Sequence, residues 1–378
     1  MNKVICGDAL EVLKTFEDNS FHSMVTDPPA GISFMGKEWD KDRGGRDQWI
    51  AWLADIMKEA YRVLLPGAHI LVWALPRTSH WTATAIEDAG FEIREIVSHI
   101  FGSGFPKGMD VSKAIDKKLG AEREVVGSYI TRDLSRKNGK HKGDMLVGCY
   151  DGRSEYNVTA PSTQEAKQWA GWGTALKPAT EFWILARKPI EGTVADNVLK
   201  HGVGGLNIDE CRVGTEEVKT TGKRNGTGNV YMSKYVSPDG YEGNVHQGRF
   251  PSNLILSHSE ECGETCVDGC PIKLLDEQSG GASRFFKTFN PESDGSLFMY
   301  CPKASKKDRG EFNNHPTVKN TQLMEYLIRL VTPPNGIVLD PFAGSGSTLV
   351  AAKRGGWEYV GIELDERYVE IANRRLEE

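Results

Sequence analysis

Apolar residues alternate along the first hundred positions between short contiguous runs and threefold to fourfold spacings, which predicts strands alternating with helices. Strands are expected over 4–6, 22–26, 68–74 and 91–101. Leu10, Leu13 and Phe16 mark the first helix. Trp49, Leu53, Ile56, Ala60 and Val63 share one face of a second, over 47–65, which Pro66-Gly67 should stop. A third is expected over 78–89. From about 105 to 302 the texture changes to glycines, charges and isolated aromatics, with only 181–188 and 253–256 reading as strands. The alternation then returns, with a helix over 321–331, a strand over 336–339, a helix from 345, a strand over 357–362 and a last helix ending near Leu376. Such a pattern predicts an α/β fold with a mainly parallel sheet, interrupted by a large insertion.

Composition narrows the classes. At 378 residues, with 39% hydrophobic and 26% charged, the chain is an ordinary globular one. Its best apolar run, 68–75, is broken by His69 and falls far short of the ~20 residues of a membrane helix. No export signal is visible, so a cytoplasmic, membrane-free protein is expected. A net charge of -6 argues against passive polyanion binding. Local basic patches remain, at Lys303, Lys306, Lys307 and Arg309 and in the loop 132–142. Seven cysteines in that compartment do not suggest a disulfide framework.

Directly after one expected strand stands Asp340-Pro341-Phe342-Ala343-Gly344-Ser345-Gly346-Ser347-Thr348, leading into a helix. Glycines let a backbone approach a ligand, and a helix start offers free N–H groups. A Walker A loop would need a lysine where Ser347 stands, and a dinucleotide fingerprint a glycine where Leu349 stands, which also disfavours a nicotinamide-dependent oxidoreductase. The next strand ends in Glu363, a carboxylate suited to both ribose hydroxyls. Together they suit an adenosine compound without a pyrophosphate. After another strand comes Thr26-Asp27-Pro28-Pro29-Ala30-Gly31. Its prolines remove N–H donors and leave carbonyl oxygens and the Asp27 carboxylate as a rigid set of acceptors, fit for an amino group on an aromatic ring.

These two motifs resemble those of the DNA amino-methyltransferases that use S-adenosylmethionine, and their order resembles the beta group. The likeness covers about 1–105 and 312–378, with weaker stretches at 172–178 and 181–189, and is similar in particular to phage and prophage enzymes. The resemblance implies a Rossmann-like class I methyltransferase fold with circularly permuted motif order, its C-terminal strands closing a seven-stranded sheet. It implies a catalytic core of 1–105 and 312–378 around an inserted target-recognition region, 106–311. It implies S-adenosylmethionine as cofactor, double-stranded DNA as partner and a flipped target base, as in restriction-modification systems. By the same resemblance Asp27, Pro28 and Pro29 are catalytic. Asp340, Pro341, Phe342, Ala343, Gly344, Gly346, Ser347, Glu363, Asp8, His315, Thr317 and Lys319 bind the cofactor. The family usually carries a base-stacking aromatic after DPP, where this chain has Ala30; Phe34 and Trp39 are the candidates to replace it. The leading aspartate favours adenine N6. The alternatives are cytosine N4 and a catalytically silent DNA-binding relative. A homodimer is compatible with the sequence, which does not fix the oligomeric state.

His258, Cys262, Cys266 and Cys270 recur every four residues, but Gly263, Gly269 and Pro271 argue against a helix there. Three thiolates and an imidazole match the ligand set of a structural zinc ion, with Cys301 as a substitute ligand. Reduced structural cysteines are the alternative.

Overall fold

The computed structural model describes residues 2–32, 40–41, 43–102, 108–132, 153–219, 245–259, 262, 265–289, 313 and 318–377. Of the residues singled out above, Phe34, Trp39, Gly263, Cys301, His315, Thr317 and the basic patch Lys303, Lys306, Lys307 and Arg309 lie outside these, as does most of the basic loop 132–142.

The N-terminal part runs β1 (Lys3–Cys6), α1 (Ala9–Leu13), β2 (Phe21–Thr26), α2 (Arg46–Val63), β3 (Leu64–Ala74), α3 (Ser79–Asp88) and β4 (Glu92–Ile100). The middle part contributes α4 (Val111–Lys118), β5 (Val125–Arg132), β6 (Arg153–Thr159), α5 (Gln164–Gln168), β7 (Thr180–Arg187), α6 (Val194–His201), β8 (Val213–Lys219), β9 (Val245–Arg249), β10 (Leu254–Ser257), α7 (Pro271–Ser279) and β11 (Lys287–Phe289). The C-terminal part is α8 (Thr321–Val331), β12 (Ile337–Asp340), α9 (Ser347–Arg354), β13 (Glu358–Glu363) and α10 (Glu366–Glu377).

Nine strands form one sheet in the order β1-β13-β12-β2-β3-β7-β4-β10-β11. Every neighbouring pair is parallel except the two that β7 makes. The C-terminal strands thus sit between β1 and β2. Seven strands were expected; β10 and β11 extend the sheet beyond β4, and β7, β10 and β11 bring residues of the 106–311 segment into it. The rest of that segment includes two hairpins, β5–β6 and β8–β9, each a separate sheet.

Both faces of the sheet are covered. Met24, Ile70, Val72 and Ile184 pack with α2 residues such as Leu53, Met57 and Ala60, and with Ile86 of α3. Their immediate neighbours Val25, Leu71, Trp183 and Leu185 pack on the other face with Leu327 of α8 and Ala351 of α9. Alternate residues of one strand point to opposite faces, so continuous apolar runs are what a two-sided parallel sheet demands. The Pro66-Gly67 pair does not delay β3 to residue 68. Leu64 already takes an extended backbone, and Gly67, at φ 82°, lies against the buried Asn197 of α6, whose amide donates to the Pro66 carbonyl at 2.9 Å.

Candidate active site at the carboxyl edge of the sheet

Because β1, β13, β12 and β2 are parallel neighbours, the loops that follow them emerge on one edge. β2 hands over to Asp27, β12 ends at Asp340, β13 ends at Glu363, and β1 leads through Gly7 to Asp8. Residues 356 positions apart in sequence are thereby joined: the Gly7 N–H donates to the Glu363 carbonyl at 2.9 Å.

The two central loops are tied directly. Thr26 Oγ1 donates to Asp340 Oδ1 at 2.6 Å, and the Phe342 N–H donates to the same oxygen at 3.1 Å. Asp340 is fully buried. Burial pushes its carboxyl up to about 6, against the pull of the Thr26 and Thr348 hydroxyls and the Phe342 N–H. Glu363 is raised too, first by burial. Its Oε2 accepts the Gly344 N–H at 2.8 Å and its Oε1 the Asp365 N–H at 2.9 Å. A carboxylate has about four lone-pair sites, so two backbone donors leave it capacity for hydroxyl groups.

Gly344 is at φ 51° and Gly346 at φ 81°. For Gly346 a second reason is steric: a Cβ would lie 2.9 Å from that of Ala372 on α10. That glycine therefore serves helix packing as well as any ligand. Ser347 is also turned to the interior, its Oγ 3.3 Å from the buried Arg375 guanidinium, which donates to the Ser345 carbonyl at 2.6 Å. Asp8 caps α1, its Oδ1 accepting from Leu10 N–H at 3.0 Å and Glu11 N–H at 3.2 Å. Its side chain is exposed beside the end of β13.

Asp27 is half-buried and Pro28 buried. Lys319, which the resemblance places with the cofactor, forms an ion pair with Asp27 Oδ2 and lies 4.4 Å above the Trp73 ring. The structure therefore joins this residue to the Asp27 loop. One helix backs both loops: Trp49 of α2 lies against Gly31, where an added Cβ would come within 2.5 Å of the indole, and Trp52 of α2 packs on Phe342 with centroids 5.8 Å apart.

Sequence reasoning missed Asp40. It is 1% exposed, and its carboxylate accepts from the Gly31 N–H at 2.9 Å and the Ile32 N–H at 3.4 Å, clamping the chain just after Pro29-Ala30. In the letters it is one acid in a charged stretch, Lys37-Glu38-Trp39-Asp40-Lys41-Asp42-Arg43, with nothing to separate it from solvated neighbours. Trp52 and Trp73 were likewise not singled out, and Thr26 stood at the head of its motif without a role. A cavity of about 300 Å³ lined by Val213, Glu216, Arg284 and Lys287 contains none of the strand-end residues.

The sequence profile of the N6/N4 DNA methylase family matches residues 21–374. The chain belongs to this family. The methylase is also 21% identical to the type II methyltransferase M.HindIII of Haemophilus influenzae, over 98% of this chain and 93% of that one. A local match to the type II methyltransferase M2.DpnII of Streptococcus pneumoniae reaches 42% identity, but covers 21% of this chain and 30% of that one. Among solved structures, the PvuII DNA methyltransferase, described as cytosine-N4-specific, aligns with TM-score 0.46 at 14% identity, covering 99% of this chain and 86% of that one. No helix among the described residues is long and apolar enough to cross a membrane.

Proposed function

We propose that this DNA methylase transfers a methyl group from S-adenosylmethionine to the exocyclic amino group of a flipped base in double-stranded DNA, with adenine N6 as the target. The observation that carries the reading is the Thr26–Asp340 hydrogen bond of 2.6 Å, since it sets the acceptor loop beside the glycine turn. The donor set fits the cofactor. Glu363 has acceptor capacity for two ribose hydroxyls, the turn from Asp340 to Gly344 offers close backbone approach, and the exposed Asp8 stands near for the adenine. Bound there, S-adenosylmethionine supplies an electrophilic methyl group.

The chain's own residues then act on the amine. Asp27 and the Pro28 carbonyl accept its N–H protons, which draws the nitrogen toward a tetrahedral geometry and localises its lone pair. Lys319 fixes the Asp27 carboxylate through Oδ2, Asp40 holds the loop beyond it, and α2 backs both. Preorganised acceptors of this kind act without reorganising during the reaction. Flipping is required because the amino group is unreachable inside the duplex. The middle segment supplies the target-recognition surface; its exposed Tyr129 and Tyr156 stack at 5.7 Å on the β5–β6 hairpin, and Trp172 is exposed nearby in sequence to α5.

Adenine is favoured by the aspartate that opens the motif, where serine points to cytosine N4. The test is to treat unmodified DNA with enzyme and labelled cofactor, digest it to nucleosides and separate them. Label is expected in N6-methyladenine; label in N4-methylcytosine alone would replace the base and keep the reaction.

A further inference from the structure

The methylase chemistry leaves one cluster unused, at the far end of the same edge. β10 and β11 are strands of four and three residues on the outside of the sheet, beneath a small apolar cluster built on Leu256, Ile272 and two cysteines. Strands so short, with so little buried around them, need another source of stability.

At the end of β10 the chain carries His258, whose N–H donates to the Phe289 carbonyl at 3.1 Å and extends the β10–β11 pairing. Beyond it the Cys262 N–H donates to the Ser259 carbonyl at 3.0 Å, and the Cys270 N–H closes a turn onto the Val267 carbonyl at 3.2 Å. Cys270 then caps α7. The result gathers one imidazole nitrogen and three sulfurs with every pair within 4.8 Å. His258 Nδ1 is 3.2 Å from Cys266 Sγ and 3.6 Å from Cys270 Sγ. Cys262 and Cys270 are buried, and all three cysteines are free thiols. Ligands at ~2.3 Å for sulfur and ~2.0 Å for nitrogen around a tetrahedral ion stand ~3.5–3.8 Å apart, so shifts of no more than ~1 Å bring the cluster to that spacing.

The geometry points to a structural zinc site, closed by His258 Nδ1 and the sulfurs of Cys262, Cys266 and Cys270, that staples α7 to the carboxyl end of β10. Four protein ligands leave no open position, so the ion holds the outer edge of the sheet and takes no part in methyl transfer. The site does not depend on the choice of target base or on the cofactor assignment.

Full-length protein purified without chelator should contain about one zinc per chain by elemental analysis. Cobalt exchange should give tetrahedral d–d bands together with thiolate charge transfer. Cys262→Ser with Cys266→Ser should reduce bound metal at least ~10-fold and lower the Tm. Should that variant fail to fold, His258→Cys decides: it should keep one metal and raise the thiolate charge-transfer intensity by about a third, from three sulfurs to four. Folded wild-type protein that lacks zinc and takes up no cobalt would overturn the assignment, as would a disulfide among these cysteines or a cobalt spectrum unchanged in His258→Cys.

Discussion

The carboxyl edge of the sheet is held in two different ways. At its centre, around β12, β2 and β13, carboxylates are fixed by backbone N–H and hydroxyl donors, with packed helices on both faces. At its outer end, around β10 and β11, the strands are short and the cluster beneath them is small. The centre can therefore hold acceptors in place before any ligand arrives, as catalysis requires. On the proposed zinc site, the periphery gains its order from a ligand set gathered at a strand end. Damage at the centre should show as lost activity or binding, damage at the periphery as lost stability.

The largest expected effect is at Asp27. Asp27→Ala should lower methyl transfer by ~10²–10³-fold or more, the range for removing a preorganised oxyanion donor, while cofactor affinity persists. Labelled-methyl assays beside calorimetry would show this, and substantial turnover by the variant would remove Asp27 from the reaction. Glu363→Ala should weaken cofactor binding by roughly 1.5–3 kcal/mol, the loss of a charged acceptor, and unchanged affinity by calorimetry would strike it from the site.

Asp340 gives a pH-dependent prediction. Its carboxyl sits at about 6 in the fold against an ordinary 3.8, so the folded state holds the extra proton between those values. Stability should accordingly rise as pH falls through that window, and the cost of the buried charge is fully present above it. Asp340→Asn keeps the Oδ1 acceptor for Thr26 and Phe342. It should flatten this dependence and gain up to ~2 kcal/mol near neutral pH in denaturant titrations. Equal slopes for variant and wild type would mean that Asp340 does not titrate there. The smallest effect is at Asp40. Asp40→Asn removes one of two acceptor oxygens and should cost ~1 kcal/mol of stability with a measurable fall in kcat. An unchanged kcat would mean that the clamp does not position the Pro28-Pro29 turn.

Much of the centre was legible in the letters. The 3.6 and continuous apolar rhythms located β1–β4, β12, β13 and most of their helices, and the helix expected over 321–331 is α8 to the residue. Tertiary placement was not legible. Nothing local says that β7 runs antiparallel between β3 and β4, nor that β10 and β11 extend the sheet, because strand order is decided by partners distant in sequence. The hairpins were invisible because their residues alternate poorly and pack little. Of the site, Asp27, Asp340 and Glu363 stood out by their motifs. Asp40 acquired its place through a loop contact eight to nine residues back that no local pattern marks, and Lys319 its ion pair through a contact that spans the fold.

The insertion of β12 and β13 between β1 and β2 bears on how the chain is made. Lys3 pairs with Val360 and Ser23 with Val338, so the first strand emerges from the ribosome well over three hundred residues before its neighbour exists. At ~5–20 residues per second that is a wait of tens of seconds or more with β1 unpaired and one edge of β2 bare. An early stop, or a protease cut before β12, therefore removes two interior strands of the sheet and not merely its end. The Asp340 and Glu363 half of the candidate site is lost while the Asp27 loop remains, so shortened products should be inactive and prone to association through that bare edge.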